Sequence, residues 1–444
     1  MLAAQDGVTV QHELLARLDQ ARVQTDRLFA LVKPEFLYQR PIPERHRIVF
    51  YVGHLEAFDW NLFRERIFGQ TSFRSEFDQL FAFGIDPVDR GLPSDQPTDW
   101  PSATQVRDYV GQARQAIDAG LAAAPFRAPE EISPNLLLNV AIEHRLMHAE
   151  TLAYMLHQLP HDNKFQKPRL PGLAAGPVAP AMVEVPAGSA TLGLSRGDAD
   201  GFGWDNEYPA LTLAVPAFSI DQYEVTNREY LRFMNAGGYQ DRSWWKDADW
   251  NWKTAQAVSK PVFWNRVNGG AWRYRTMFEE VPLPLDWPAY VSHAEASAYA
   301  RWAGKALPTE AQWHRAAYGT PQEPAAERPF PWGAEVPHGR MGNFDFERWD
   351  PTPVGAFPQG KSAFGVADLV GNGWEWTATP FAPFAGFQPF EFYPGYSANF
   401  FDGEHYVMKG GSARTASCML RRSFRNWFQP HYQYVYAGFR CVSN

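Results

Sequence analysis

The chain changes its grammar once, near residue 165, and that break limits what it can fold into. Before it, apolar residues recur at helical spacing. "VTVQHELLARLDQARVQTDRLFALV" contains no breaker, and "PERHRIVFYVGHLEAFDWNLFRERIFG" follows with Pro43 suited to a first turn. "SATQVRDYVGQARQAIDAGLAAA" opens on Ser102 and Gln105, the spacing of a capping box. "SPNLLLNV" starts the fourth helix, with Ser133 to cap it, Pro134 at its first position and Pro160 to stop it. Four helices joined by loops predict an antiparallel bundle over residues 1–165. "KPRLPGLAAGPVAPAM" then reads as a linker, residues 166–182. From 183 to 444, Gly, Pro, Asn and Trp punctuate short strands, and only "TNREYLRFMNAG" and "HAEASAYARWAG" read as helices. The expected fold class is a helical bundle followed by a loop-rich α+β domain.

Composition narrows the function. Net charge is -8 over 444 residues, which argues against a nucleic-acid partner. Cys418 and Cys441 are the only cysteines, so no disulfide framework supports the fold. The start lacks a basic segment followed by an apolar run, and no stretch is long and apolar enough to span a bilayer. A cytoplasmic protein with no membrane partner is the expectation. Tryptophan is frequent, at 17 residues, which suits loops pinned by large rings or a pocket for a flat or cationic ligand.

In the fourth helix, "IEHRLMHAETLAYML" places His144 and His148 in an apolar stripe with Leu137, Ala141, Leu152 and Met155. Residues four apart on a helix differ by about 40° around its axis, so both rings leave one face. A buried imidazole needs a partner for each nitrogen. That partner is either a neighbouring helix or a metal. His54 stands in a second stripe with Phe50, Tyr51 and Phe58, so three stripe histidines can close around one ion. Glu150 faces away from that pair and reads as an interhelical partner. Three neutral histidines without a carboxylate leave open positions, which suits zinc or iron(II).

In the second half, "FSIDQYEVTNREYLRFM", "WAGKALPTEAQWHRAA", "PFPWG", "FGVADLVGNGWEWT", "VMKGGSARTAS" and "GFRCV" occur in order. Together they resemble the formylglycine-generating-enzyme (sulfatase-modifying factor) domain, over roughly residues 180–444, which implies a C-type-lectin-like fold. Trp302, Trp313, Trp374 and Trp376 are expected to pin its loops, and Gly410 with Gly411 to permit a tight turn. That family's copper-binding cysteines follow the Gly-Gly-Ser turn, but here those positions are Thr415 and Leu420, so its activity is not expected.

The first half resembles the DinB-like bundle, whose distal His plus His-x3-His-x-Glu corresponds to His54, His144, His148 and Glu150. The two together are similar to ergothioneine sulfoxide synthases, ovothiol synthases and selenoneine synthases. The resemblance implies iron, Fe(2+), held by the three histidines, O2 as oxidant, and a histidine-derived imidazole such as hercynine as substrate. It also implies a second domain that supplies much of the substrate pocket. "EFYPGYS" offers Tyr393 and Tyr396 as a catalytic pair, and "RNWFQP" offers Asn426 and Trp427 to the imidazole substrate.

The donor side departs from the pattern. Phe428 stands where many ergothioneine synthases carry an Asp for the donor amine, and Met147 stands where they carry Gln. Arg90 lacks a close Arg neighbour upstream for the donor carboxylates. A donor without amine and carboxylate fits these changes, and selenoneine synthases take a selenosugar. The expectation is therefore oxidative C–Se or C–S bond formation at hercynine C2, leaning to selenium. An ergothioneine sulfoxide synthase using cysteine or γ-glutamylcysteine stays open, as do a zinc-dependent thiol transferase and a binding module without chemistry.

Overall fold

The computed structural model describes residues 2–84, 92–123, 133–167, 170, 172–173, 176, 178–197, 201–267 and 269–443. The chain divides into two compact units, Met1–Lys167 and Pro168–Asn444.

The first unit is helical: α1 (Leu2–Phe29), α2 (Ile48–Phe63), α3 (Ser75–Phe83), α4 (Ala103–Ala123) and α5 (Pro134–Gln158). α2 packs on α3, α4 and α5, and α1 packs on α5. Leu18, Leu28, Val49, Trp60, Val106, Ile117, Leu137 and Leu152 are buried among them. The Ser102–Gln105 box forms, with Ser102 N–H donating to Gln105 Oε1 at 3.0 Å and Gln105 N–H to Ser102 Oγ at 3.4 Å. Three details differ from the sequence reading. Helix α2 begins at Ile48, and Pro43 lies in the turn before it. The Arg47 guanidinium, bonded to Asp95 Oδ2 at 2.8 Å and to the Tyr38 carbonyl at 2.7 Å, holds that lead-in extended. The Ser133 side chain makes no cap bond, although Pro134 does open α5. Finally, α3 is a short helix that the reading left out.

The second unit has little regular structure. Its strands are β1 (Met182–Val185), β2 (Gly188–Leu192), β3 (Leu211–Val215), β4 (Phe218–Asp221), β5 (Trp264–Arg266), β6 (Trp272–Arg275), β7 (Glu280–Pro282), β8 (Gly373–Pro380), β9 (Tyr406–Gly411), β10 (Asn426–Phe428), β11 (Ala437–Gly438) and β12 (Val442–Ser443). They pair as β1-β4-β12, β10-β9-β8-β11, β2-β3 and β5-β6-β7. The helices read from sequence are α6 (Asn227–Asn235) and α8 (His293–Trp302), and α7 (Asp247–Ala255) and α9 (Glu310–Tyr318) join them. Trp313, Trp374 and Trp376 are fully buried, whereas Trp302 is half-buried. Gly410 and Gly411 do not make a tight turn; they end β9, opposite Trp374 and Gly373. Gly410 has φ +95°, and a Cβ there would come within 2.6 Å of the Leu369 carbonyl. Only glycine accepts both constraints.

At the core of this unit, Arg440 Nε and Nη2 bind the two oxygens of Glu375 at 2.6 and 2.7 Å, with neither residue exposed. Cys418 is half-buried, and Cys441, Thr415 and Leu420 are buried.

Candidate active site

Helices α2 and α5 bring His54, His144 and His148 together in the first unit. One ligand nitrogen from each lies within 4.8 Å of the others, and His54 Nε2 is 3.1 Å from His148 Nε2. For metal–nitrogen bonds of about 2.0–2.1 Å, two ligands sharing an ion stand roughly 2.9 Å apart at a right angle and roughly 3.3 Å at the tetrahedral angle. The His54–His148 spacing falls between these. His54 Nδ1–H donates to the Phe81 carbonyl at 2.6 Å, which leaves the Nε2 lone pair for an ion. Burial holds the His54 pKa down to about 4, against the pull of that carbonyl. His144 and His148 lie well below the usual imidazole range, through burial first and then their histidine neighbours. All three rings are therefore neutral at ordinary pH, the form that binds metal. The set fits iron(II) or zinc, because both accept imidazole.

The surroundings fix these rings. Phe58 stacks on His144 at 3.5 Å between centroids and 11° between planes, and Phe50 stacks on His54 at 4.7 Å. Gly53 precedes His54 because α3 presses there: a Cβ would meet the Phe81 ring at 2.4 Å. That close approach lets the Phe81 carbonyl reach His54. Beside His144, Arg145 binds Glu56 at 3.1 Å, Asp59 at 2.6 Å and the Leu55 carbonyl at 3.1 Å, all buried. Glu56 also takes Arg114 of α4 at 2.5 Å. The Glu56 carboxyl is held below its usual range by Arg145 and Arg114 against the cost of burial, whereas burial pushes Asp59 up to about 6. These ion pairs set the register of α2 against α5, and hence of the histidines.

Sequence reasoning missed Phe81, Gly53 and this ion-pair network. A glycine inside a helix was a visible signal of close approach, but a backbone carbonyl carries none. Glu150 is buried on α5 and lies outside the histidine group. Met147 is half-buried on α5, and Arg90 lies outside the described residues.

In the second unit, the structure brings Tyr393, Tyr396 and Trp427 into one aromatic cluster. The two tyrosine rings are 5.6 Å apart, and Tyr396 meets Trp427 edge-on at 5.5 Å. Tyr396 is buried and stacked on Trp204 at 3.9 Å. Tyr393 is half-buried, and its phenol is pushed up to about 12 by burial and by the Asp205 carboxylate. Trp427 is half-buried with Phe381 stacked on it at 4.2 Å and 7°. One indole face is thus taken by protein, and the Phe400 ring lies 5.6 Å away, tilted at 47°. Asn426 Oδ1 accepts from Trp427 N–H at 2.9 Å. Successive residues of a strand face opposite ways, and Phe428, next to Trp427, stacks on Tyr432 at 5.0 Å.

A helical bundle carrying a three-histidine group, fused to a loop-rich sheet domain, defines a two-module protein. Residues 17–152 match the DinB superfamily, and residues 169–444 match the sulfatase-modifying factor enzyme 1-like domain. Hercynine oxygenase of Mycobacterium tuberculosis is 36% identical over 77% of this chain and 78% of its own length. Hercynine oxygenase of Mycolicibacterium thermoresistibile is also 36% identical, over 77% of this chain and 75% of its own. Ergothioneine biosynthesis protein 1 of Neurospora crassa is 27% identical over 93% of this chain but only 55% of its own length. The chain belongs to the hercynine oxygenase family of enzymes. Among the described residues, no helix is long and apolar enough to cross a membrane.

Proposed function

We propose that this chain catalyses iron(II)- and O2-dependent formation of a C–Se or C–S bond at C2 of the hercynine imidazole, with a selenosugar as its preferred donor. The observation that carries the reaction is the trio His54, His144 and His148, neutral and converging, in a chain of the hercynine oxygenase family. Iron held by His54, His144 and His148 would, with oxygen, supply the oxidising power that C2 requires before a soft nucleophile can attack. His54 is oriented for this by the Phe81 carbonyl. Tyr393 keeps its proton far above neutral pH and is available to donate it. The half-buried indole of Trp427 suits a trimethylammonium group, which an aromatic ring attracts.

The donor preference rests on Phe428, an aromatic residue stacked on Tyr432 at 5.0 Å where an acidic side chain would pair with an amine. Burying the ammonium and carboxylate of cysteine without partners costs several kcal/mol. A competition assay under air, with iron(II) and hercynine, offers a selenosugar, cysteine and γ-glutamylcysteine at equal concentration. The selenosugar product should dominate. Faster reaction of cysteine or γ-glutamylcysteine would make the enzyme an ergothioneine sulfoxide synthase, the reading that the name of its Neurospora crassa relative favours. Stoichiometric zinc with no iron after anaerobic purification would instead favour a thiol transferase.

A further inference from the structure

The residues Trp204–Glu207, "WDNE", are used by none of the chemistry above, yet they join the two segments that carry it. They form a single 3-10 turn and are almost completely buried. Trp204 stacks on Tyr396 at 3.9 Å. Ser397 Oγ–H donates to Asp205 Oδ1, and the Phe390 backbone bonds the same carboxylate. Asp205 thereby grips the tyrosine loop on both sides of Tyr393 and Tyr396. On the other side, Arg421 binds Glu207 at 2.9 Å through Nε, and Ser423 Oγ–H donates to Glu207 at 2.6 Å. Arg425, next to Asn426, donates to the Asn206 carbonyl at 3.4 Å and to Glu310 at 3.0 Å. The turn is therefore bonded to the loop of Tyr393 and to the approach of Trp427.

Asp205 Oδ2 is buried and has no hydrogen-bond partner among the described residues, as is the case for Asn206 Oδ1 beside it, but only Asp205 can carry a charge. Burial raises the pKa of this carboxyl, and when ionised it keeps much of its field, because among the described residues no hydrogen bond to that oxygen offsets it. The groups that face it are Ser397, the Asn206 and Phe390 backbone, Glu207 and Tyr393. We propose that Asp205 is a positioning residue that anchors the tyrosine loop through Ser397 and sets the electrostatics at Tyr393. This rests on the reading of Tyr393 as a proton donor. A negative charge beside a phenol disfavours phenolate, so Asp205 adds to burial in raising the pH at which Tyr393 gives up its proton.

The test places 3-fluorotyrosine in place of Tyr393 in the full chain and follows its fluorine resonance against pH. The ring fluorine acidifies the phenol and brings its midpoint into a measurable range. In Asp205→Asn the midpoint should fall by about one pH unit. In Asp205→Glu, which restores the charge, it should return most of the way. In the unlabelled chain, Asp205→Asn should lower kcat roughly 10–100-fold with the KM for hercynine unchanged. A folded Asp205→Asn protein with the parent's midpoint overturns the proposal. Should that variant not fold, Ser397→Ala carries the test: release of the loop should narrow the fluorine line, and an unchanged line overturns the anchoring role. The proton-donor reading is tested apart from this by Tyr393→Phe. Full product formation in that variant refutes the tyrosine's role and leaves the fluorine result standing.

Discussion

At the scale of single residues, each histidine of the trio replaces an apolar side chain. His54→Ala should therefore strip most of the iron while the helical content stays, since alanine suits a helix interior. Metal analysis with circular dichroism checks this, and full iron occupancy in His54→Ala removes that residue from the site. Trp427→Leu should weaken hercynine binding by about 0.5–2 kcal/mol, read by calorimetry. Plain histidine should bind the parent poorly, because it lacks the trimethylammonium group; equal affinity for the two counts against this pocket. The convergence of His54, His144 and His148 was legible because period and polarity disagreed at three positions. The burial of Tyr396 on Trp204 was not, because the two residues are far apart in the chain and no spacing links them. Nor did the sequence disclose that Phe381 covers one face of Trp427.

At the scale of elements, the contact of α3 with α2 at Gly53 controls the bond from His54 to Phe81. Gly53→Ala should push α3 away and cost about 10–100-fold in iron affinity, with all three histidines present. Unchanged affinity would mean that this bond is dispensable. Strand β9 offers a second test. Lys409 is buried there, donating to the Arg422 carbonyl at 2.9 Å and the Phe424 carbonyl at 2.6 Å, and burial lowers its pKa to about 8. The unfolded chain keeps that proton up to the ordinary lysine range near 10.4. Between these limits the unfolded state binds more protons, so the folded state gains stability as pH rises from 8. Denaturant unfolding should show this gain in the parent and lose it in Lys409→Met; parallel pH curves would refute it. Long helices with clear stripes were readable, and short ones were not. Helix α7 mixes Trp with Asp, Asn and Lys and shows no stripe. Helix α9 is nine residues long, and its one local signal is the Thr309–Gln312 capping box.

At the scale of the whole molecule, the order of helical and loop-rich grammar gave the two kinds of architecture, since hydrophobic period survives without an alignment. Pairing across the second unit was beyond it, because strands of two to eight residues with irregular links carry too little pattern to name their partners. The division at residue 167 has a genetic consequence. All candidate metal ligands precede it, and the aromatic cluster follows it. Random loss-of-function alleles should fall into two classes, one poor in iron and one rich in iron but impaired in hercynine binding or in turnover. The side of the boundary on which an allele maps should foretell its class.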